Sequence, residues 1–168
     1  YYKGLEHLID AMTRLPDGVR LVLIGDGERR AAIEQQIQTL KLGNRVRCLG
    51  RLDDAMLERA CASADLLCLP SIERSEAFGL VLLEAMRAGT ACLATAVAGS
   101  GMAEVIGDNA GVVVTPGDPM ALADAIEKLD QDRSRLAAMG RAGRARFEAM
   151  FRIEQVAGAI AETYRAAL

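Results

Sequence analysis

The chain has 168 residues, of which 51% are hydrophobic and 26% are charged. This length corresponds to one domain, and this composition excludes an intrinsically disordered chain. The 20 lysines and arginines against 23 acidic residues give a net charge of −3, which excludes a strongly basic nucleic-acid-binding domain and a polybasic membrane-binding surface.

Short apolar runs alternate with helical patterns along the chain. Strands are predicted at 19–24, 46–49, 66–69, 91–95 and 112–114. Helices are predicted at 5–15, 28–42, 54–63, 78–88, 102–106, 119–130, 133–147 and 153–167. This alternation is typical of βαβ units, so we expect a Rossmann-like, doubly wound parallel sheet in a three-layer α/β/α domain with extra C-terminal helices. The strands are almost wholly apolar, which predicts that helices cover both faces of the sheet.

The order of these elements differs in one respect from a complete doubly wound domain. The chain opens with a helix, whereas such a domain opens with a strand that lies in the centre of the sheet. We therefore expect a first strand before Tyr1 and a longer protein around this chain. Without that strand, the sheet would have two unpaired edges in its interior.

The cysteines and the single histidine argue against several kinds of site. Cys48, Cys61, Cys68 and Cys92 include no pair with the C-x-x-C spacing, which predicts buried, free thiols in a reducing cytoplasm. With only one histidine in the chain, a zinc site and a Ser-His-Asp hydrolase are both disfavoured.

The loop after the third predicted strand is the first candidate site. In open parallel sheets, ligands bind beyond the carboxyl ends of the strands, where the strand order reverses. Here the loop leads through Phe78 and Gly79 into a helix, whose N-terminal amides and dipole favour phosphate. Glu76 and Glu84 are spaced to address two ends of an extended ligand. Spacing alone leaves open that Glu76 only complements the helix dipole and that Glu84 is solvated.

Four further segments end at the same edge of the predicted sheet. Lys3 and Gly4 would follow the expected first strand, where a lysine either meets a phosphate or stays solvated. Gly25 begins a Gly-Asp-Gly segment that lacks the full Gly-x-Gly-x-x-Gly fingerprint, so a tight turn explains it as well. Arg51 either borders a base or is an ordinary surface residue. The Gly-rich loop 98–101 is compatible with an anion-binding nest or with a plain connection.

A series of short motifs runs through almost the whole chain. They are Lys3-Gly4, Leu23-Ile-Gly-Asp-Gly-Glu28, Leu49-Gly-Arg51, Ala64-Asp-Leu-Leu-Cys-Leu-Pro-Ser71, Ser75-Glu-Ala-Phe-Gly-Leu-Val-Leu-Leu-Glu-Ala-Met86, Gly101-Met-Ala-Glu104 and Gly111-Val-Val-Val114. In this order they resemble the C-terminal donor-binding domain of the retaining family-4, or group 1, glycosyltransferases, which have the two-domain GT-B architecture. Glu76 and Glu84 match the family's pair of glutamates separated by seven residues.

The resemblance implies a role for each candidate residue. Glu84 would accept hydrogen bonds from the nucleotide's ribose, and Glu76 would lie beside the donor sugar. The amides of Phe78, Gly79 and Leu80 would reach sugar hydroxyls or the distal phosphate. Lys3 would neutralise the departing diphosphate without a metal ion or other cofactor, and the segments at Gly25 and Arg51 would flank the nucleotide. The donor would be a UDP-sugar or a GDP-sugar.

The resemblance also predicts what the longer protein does. The whole chain, 1–168, would be the donor domain, and an N-terminal domain outside it would bind a glycan or a lipid-linked acceptor. That protein would transfer a hexosyl group in polysaccharide biosynthesis, in the cytoplasm or at the inner face of the membrane, with peripheral membrane association and homo-oligomers both open. The isolated chain would bind donor weakly and transfer nothing. An orphaned apolar stripe is expected on the last helix at Ile153, Val156, Ile160 and Tyr164.

Two departures and three alternatives accompany this interpretation. The family's Gly-Arg pair would lie before Tyr1, and Ala77 stands where glycine is commoner. The first alternative is another GT-B enzyme, such as a nucleotide-sugar epimerase or a relative of glycogen synthase. The second is a non-catalytic interaction domain that keeps the fold. A receiver-like or flavin-binding domain is the third, but the loop 96–101 lacks the lysine that a receiver requires.

Overall fold

The computed structural model describes residues 3–166. Eight helices and five strands follow one another in the order α1 Leu5–Met12, β1 Leu21–Ile24, α2 Arg30–Thr39, β2 Val46–Gly50, α3 Asp54–Ser63, β3 Leu66–Leu69, α4 Leu80–Ala88, β4 Ala91–Thr95, α5 Met102–Ile106, β5 Gly111–Val114, α6 Pro119–Gln131, α7 Arg133–Met150 and α8 Ile153–Ala166. The alternation of strands and helices agrees with the predicted α/β class. The predicted first strand, before Tyr1, and residue 167, the predicted end of the last helix, lie outside the described residues.

The strands form two parallel sheets rather than one. β1 pairs with β2, and β3, β4 and β5 pair in that order. If β1 to β5 are strands 2 to 6 of a complete doubly wound sheet, their expected order is 3-2-1-4-5-6. The gap between β1 and β3 is then the place of strand 1, the central strand that the sequence predicts. Each half of the molecule keeps the parallel pairing of a doubly wound fold, and β1 and β3 each present an edge that no described strand pairs.

Strand β4 lies at the centre of the buried core. All five of its residues are buried. Leu93 packs on one face with residues of α1, α2 and α6, including Ile9 and Leu122. Cys92 packs on the other face with residues of α4 and α5, including Leu82. Apolar layers therefore cover β4 on both sides, as its uninterrupted apolar sequence predicts.

The same prediction is wrong for the two-stranded half. Val22 and Ile24 of β1 and Leu49 of β2 are 48%, 39% and 44% exposed. Their neighbours Leu21 and Leu23 pack against α1 and α2 from the opposite face. Helix α3, which follows β2, packs against α4. One face of β1 and β2 is therefore uncovered within the described residues.

Several predicted helix ends are also wrong, for local reasons. Helix α4 begins at Leu80 rather than at 78, because Gly79 has a left-handed backbone (φ 76°) that ends the preceding loop. Helix α1 ends at Met12, and α2 covers Arg30–Thr39 within the predicted range 28–42. A left-handed backbone at Lys41 (φ 58°) ends that second pattern.

The C-terminal helices differ from each other in burial. Helix α7 packs against α4 and β4, and Gly140 allows this close approach because a Cβ there would lie 2.1 Å from the Gly89 carbonyl oxygen. Helix α8 has no buried residue among those described, and its apolar residues are exposed: Ile153, Val156, Ile160 and Tyr164. No described helix is both long and apolar enough to cross a membrane.

Candidate functional site

The end of β3 and the start of α1 meet at one point. A Cβ at Gly4 would lie 2.1 Å from the Pro70 carbonyl oxygen, and Gly4 has the left-handed backbone (φ 63°) that glycine adopts most easily. Glycine at this position therefore lets the first turn of α1 rest against the loop that follows β3. This contact brings Lys3 to the loop that the sequence identifies as the candidate site.

Lys3 and Glu76 form an ion pair across this loop. The lysine Nζ donates a hydrogen bond to Glu76 Oε2, although the two residues are 73 positions apart in the chain. The Glu76 side chain is only 13% exposed, whereas that of Lys3 is 46% exposed. A shielded carboxylate and an accessible ammonium group thus lie side by side just before α4.

The start of α4 offers unbonded backbone N–H groups. Within residues 3–166, the amides of Phe78, Gly79 and Leu80 have no hydrogen-bond acceptor, as is usual at a helix N-terminus. Gly79 caps the helix, and a Cβ there would lie 2.8 Å from the Leu82 side chain and 3.0 Å from that of Leu69. The exposed fractions of Phe78 and Leu80 are 41% and 68%, so this helix start borders open surface.

The Gly-rich loop after β4 fixes the backbone before α4. The Ser100 hydroxyl donates to the Glu76 carbonyl at 2.8 Å, and the Gly101 N–H donates to the Ala77 carbonyl at 2.7 Å. Arg74 lies over Gly99, where an added Cβ would come within 3.3 Å of its Nε. Loop 98–101 thus holds the backbone of residues 74–77 in place. Ser100 is a positioning residue that the sequence analysis missed, since only the fold shows this pairing.

Glu84 lies on the second turn of α4 and faces α3. Its charge contributes, after burial, to raising the pKa of the Cys61 thiol on α3. Helix α3 follows the segment that contains Arg51, and it packs against α4. The two predicted glutamates therefore differ in surroundings, because Glu76 pairs with Lys3 and Glu84 lies near the Cys61 thiol of α3.

Gly25 and Arg51 lie at the ends of the two-stranded sheet. The Gly25 N–H donates to the Gly50 carbonyl at 2.8 Å, which joins the two predicted segments directly. Arg29, one turn beyond Gly25, forms an ion pair with Glu6 in the first turn of α1. These segments are thus linked to the helix that follows Lys3, but no hydrogen bond or ion pair joins Gly25 or Arg51 to Glu76 in the described part of the chain.

The cysteines lie outside this group of residues. All four are free; Cys61 and Cys92 are buried as predicted, whereas Cys48 and Cys68 are partly exposed. Burial raises the pKa of Cys92 to about 12, so its thiol is protonated and unreactive at neutral pH. A shallow groove between β5 and α6 is lined by Val112, Lys128 and Arg135, among others. It lies at the β5 edge of the three-stranded sheet, opposite the edge formed by β3 and its candidate-site loop.

Comparison with known proteins identifies relatives across nearly all of the chain. The family described as "Glycosyl transferases group 1" matches residues 1–146. The phosphatidyl-myo-inositol mannosyltransferase of Mycobacterium leprae is 37% identical over 147 residues, or 82% of this chain and 37% of that protein. The glycogen synthase of Mycobacterium tuberculosis is 34% identical over 170 residues, or 99% of this chain and 40% of that protein.

Solved structures of similar fold include one that holds a nucleotide sugar. Alr3699/HepE from Anabaena, in complex with UDP-glucose, has a TM-score of 0.87 and 31% identity, over 98% of this chain and 46% of that chain. The chain thus spans less than half the length of each of these three proteins.

Proposed function

We propose that this chain, which belongs to the group 1 glycosyltransferase family, is the donor-binding domain of a retaining glycosyltransferase. Its structural neighbours have the GT-B architecture. In this proposal, the nucleotide-diphosphate sugar binds at the surface where Lys3, just before α1, meets the loop that leads into α4. The observation that carries this proposal is the contact between Lys3 and Glu76 beside the unbonded amides of α4.

The chemistry of these groups suits a sugar diphosphate. An exposed ammonium group and a helix N-terminus both attract phosphate oxygens, and a carboxylate accepts hydrogen bonds from sugar hydroxyls. Lys3 forms an ion pair with the shielded carboxylate of Glu76, so a cation and a hydrogen-bond acceptor lie side by side where the sugar diphosphate would bind. When the sugar is transferred, negative charge grows on the departing diphosphate, and Lys3 stabilises it where other enzymes use a metal ion.

The remaining residues act on the nucleotide and the sugar. Glu84 accepts hydrogen bonds from the ribose, and the amides of Phe78, Gly79 and Leu80 bind sugar hydroxyls or the distal phosphate. Gly25 and Arg51 flank the nucleotide from the two-stranded half. The UDP-glucose bound to the Anabaena relative supports a uridine nucleotide as the first to test, with a GDP-sugar as the other choice.

In the longer protein, this domain supplies a hexosyl group to an acceptor held elsewhere. The mannosyltransferase of M. leprae supports an acceptor that is a glycan or is linked to a lipid. With such an acceptor, we propose a role in polysaccharide biosynthesis, in the cytoplasm or at the inner face of the membrane. The isolated domain, which lacks the acceptor site, transfers nothing.

A second candidate activity is glucan elongation, which the similarity to glycogen synthase over 99% of the chain supports. Both activities use the same donor site, so nucleotide binding does not separate them. An assay of the full-length protein with radiolabelled UDP-glucose separates them by product. Label in a maltooligosaccharide primer indicates glucan elongation, and label in a lipid extract of the source membranes indicates the lipid-linked acceptor.

Calorimetric titration of the full-length protein with UDP, GDP and their sugar conjugates tests the donor site. Binding of one nucleotide family is expected, and Glu84→Ala should weaken it at least about tenfold through loss of the ribose contact. Glu127→Ala on α6 is the matched control and should bind as the wild type does. If no nucleotide binds at millimolar concentration, the chain is a non-catalytic domain that keeps the fold. If a nucleotide binds equally well to the wild type and to Glu84→Ala, the proposed ribose contact of Glu84 is wrong.

The role of Lys3 is tested by turnover rather than by affinity. Lys3→Met should lower kcat about 100-fold while the Kd for the nucleotide changes much less, because the charge matters most as the diphosphate departs. Lys128→Met on α6 serves as the control. Activity that survives EDTA in the wild type and falls in Lys3→Met agrees with the proposal, and an absolute need for a divalent ion contradicts it.

A further inference from the structure

Phe78, at the start of the candidate donor site, contacts an aromatic ring from the far end of α7. The rings of Phe78 and Phe151 meet edge to face, with centroids 6.3 Å apart and planes inclined by 78°. Phe151 caps the C-terminus of α7, and its N–H donates to the Phe147 carbonyl at 2.9 Å. A residue 73 positions away in the sequence thus supports one side of a residue that is otherwise 41% exposed.

Phe151 is itself held in place by Arg146. The guanidinium carbon of Arg146 lies 5.8 Å from the centroid of the Phe151 ring, within the range of a cation–π contact. The same guanidinium donates from Nε to the Val105 carbonyl at 2.9 Å and from Nη2 to the Glu104 carbonyl at 2.7 Å. Arg146 therefore ties the Phe151 ring to the C-terminal carbonyls of α5.

Both ends of α5 are linked to Phe78. Gly101 is the N-cap of α5, and its N–H donates to the Ala77 carbonyl. The position where Gly101 would carry a Cβ is 3.6 Å from Cδ2 of Phe78. One end of α5 thus fixes the backbone before Phe78, and the other end fixes Phe78's ring through Arg146 and Phe151. Phe78 is held from both sides, while its amide and the next two stay unbonded.

We infer that Phe151 is a positioning residue for the donor site: through Phe78, it sets the direction of the amides that begin α4. This inference rests on the proposed function, since those amides are proposed to bind the sugar or the distal phosphate. A ring at position 151 is required, because the support comes from an edge-to-face contact that a smaller apolar side chain cannot make.

The first test needs no ligand. The Gly101 N–H bonds to Ala77 and the Leu82 N–H bonds to Gly79, so their hydrogen exchange reports opening on both sides of Phe78. In the ligand-free full-length protein, Phe151→Ala should speed exchange of these two amides about three- to tenfold relative to the Leu93 amide of β4. Phe151→Tyr should restore wild-type rates. Unchanged rates in Phe151→Ala overturn the inference.

Phe147→Ala is the matched control, because Phe147 lies one turn earlier on α7 and packs against the same core without a ring contact to Phe78. If Phe147→Ala speeds the same two amides as much as Phe151→Ala does, Phe151 is merely structural and the inference fails. A Phe78→Ala, Phe151→Ala double variant should exchange no faster than the faster single variant, since both remove the same contact.

The second test uses nucleotide ligands of increasing length. Phe151→Ala should raise the KM for UDP-glucose about three- to tenfold and leave the Kd for UMP unchanged, because UMP lacks the distal phosphate and the sugar. Equal weakening of both ligands contradicts the positioning role. If the wild type binds no nucleotide but Phe151→Ala still speeds exchange at Gly101, the proposed function fails while the link from Phe151 to this loop stands.

Discussion

The two halves of the molecule differ in how completely they bury a short apolar strand. In the three-stranded half, β4 is buried at all five positions and is covered from both faces. In the two-stranded half, β1 alternates between partly buried and exposed residues, with Val22 and Ile24 open. The sequences of the two strands are similarly apolar, so composition does not determine their burial; the presence of a second packing layer does.

The same contrast separates the candidate site residues. In the buried half, Ser100 donates a hydrogen bond to Glu76, the Phe151 ring contacts Phe78, and Gly79 lies close to Leu69 and Leu82. Gly25 and Arg51, in contrast, lie at the ends of the half with a bare face. Chemistry that depends on fixed geometry is therefore expected from the residues around α4. The segments at Gly25 and Arg51 are more suited to contacts that tolerate movement.

The largest expected difference between the halves is in the cost of truncating an apolar residue. Leu93→Ala in β4 should reduce the free energy of unfolding by about 2–5 kcal/mol, because it leaves a cavity between two covered layers. Val22→Ala in β1 should cost less than about 1 kcal/mol, since the Val22 side chain already contacts water. Urea denaturation of both variants measures this difference, and equal costs would contradict the contrast.

Close packing of α7 gives the next largest effect. Gly140→Ala should destabilise the protein by about 2–3 kcal/mol, because its new methyl group would overlap the Gly89 carbonyl oxygen 2.1 Å away. Gly158→Ala on α8 is the matched control, since nothing lies within 4 Å of its Cβ position. That change should raise helix stability by up to about 1 kcal/mol. Thermal melts that show equal effects at both glycines would refute this packing.

The hydrogen bond from Ser100 to the Glu76 carbonyl allows the same comparison to be tested at the candidate site. Ser100→Ala removes the hydroxyl that donates to Glu76 and should cost about 1 kcal/mol of nucleotide-sugar affinity. Ser134→Ala, which removes a hydroxyl bonded to Asp132 on α7, should leave that affinity unchanged. Isothermal titration measures both, and normal binding by Ser100→Ala would show that the loop does not need this hydrogen bond.

The smallest expected effect is a dependence of stability on alkaline pH. Burial raises the Cys92 pKa from 9.0 to about 12, so the folded thiol stays protonated at a pH where the unfolded thiol ionises. Its contribution to stability is therefore complete below pH 9 and is lost as the pH rises through about 12. Relative to Cys92→Ala, the wild type should lose about 1 kcal/mol of stability between pH 8 and pH 10. Parallel curves for the two proteins would contradict this.

The sequence predicts the alternation of strands and helices well, because hydrophobic runs and turn residues act locally. Strands β3 and β4 and helices α3 and α5 have the bounds that their patterns predict. The start of α4 was misplaced, because only the structure shows that Gly79 takes a left-handed backbone. The bare face of β1 was missed for a different reason: periodicity shows that a strand can be covered but not what covers it.

The candidate site shows the same limit. Motifs identify Lys3, Glu76 and Glu84, and the fold brings Lys3 and Glu76 into contact. Ser100 and Phe151 carry no comparable signal, because a hydroxyl and a ring become informative only when folding brings them to Glu76 and Phe78. Residues whose own chemistry suits a ligand carry a signal in the sequence, whereas residues that hold those residues in place do not.

The most direct test of the account is to map where a nucleotide sugar binds on the full-length protein by amide chemical shifts. On titration with UDP-glucose, and with GDP-mannose if the first is silent, the account predicts the largest shifts at Phe78, Gly79 and Leu80, with none at Gly158. Shifts confined to the groove between β5 and α6, near Val112 and Lys128, would contradict it, because the donor would then bind away from the Lys3–Glu76 pair.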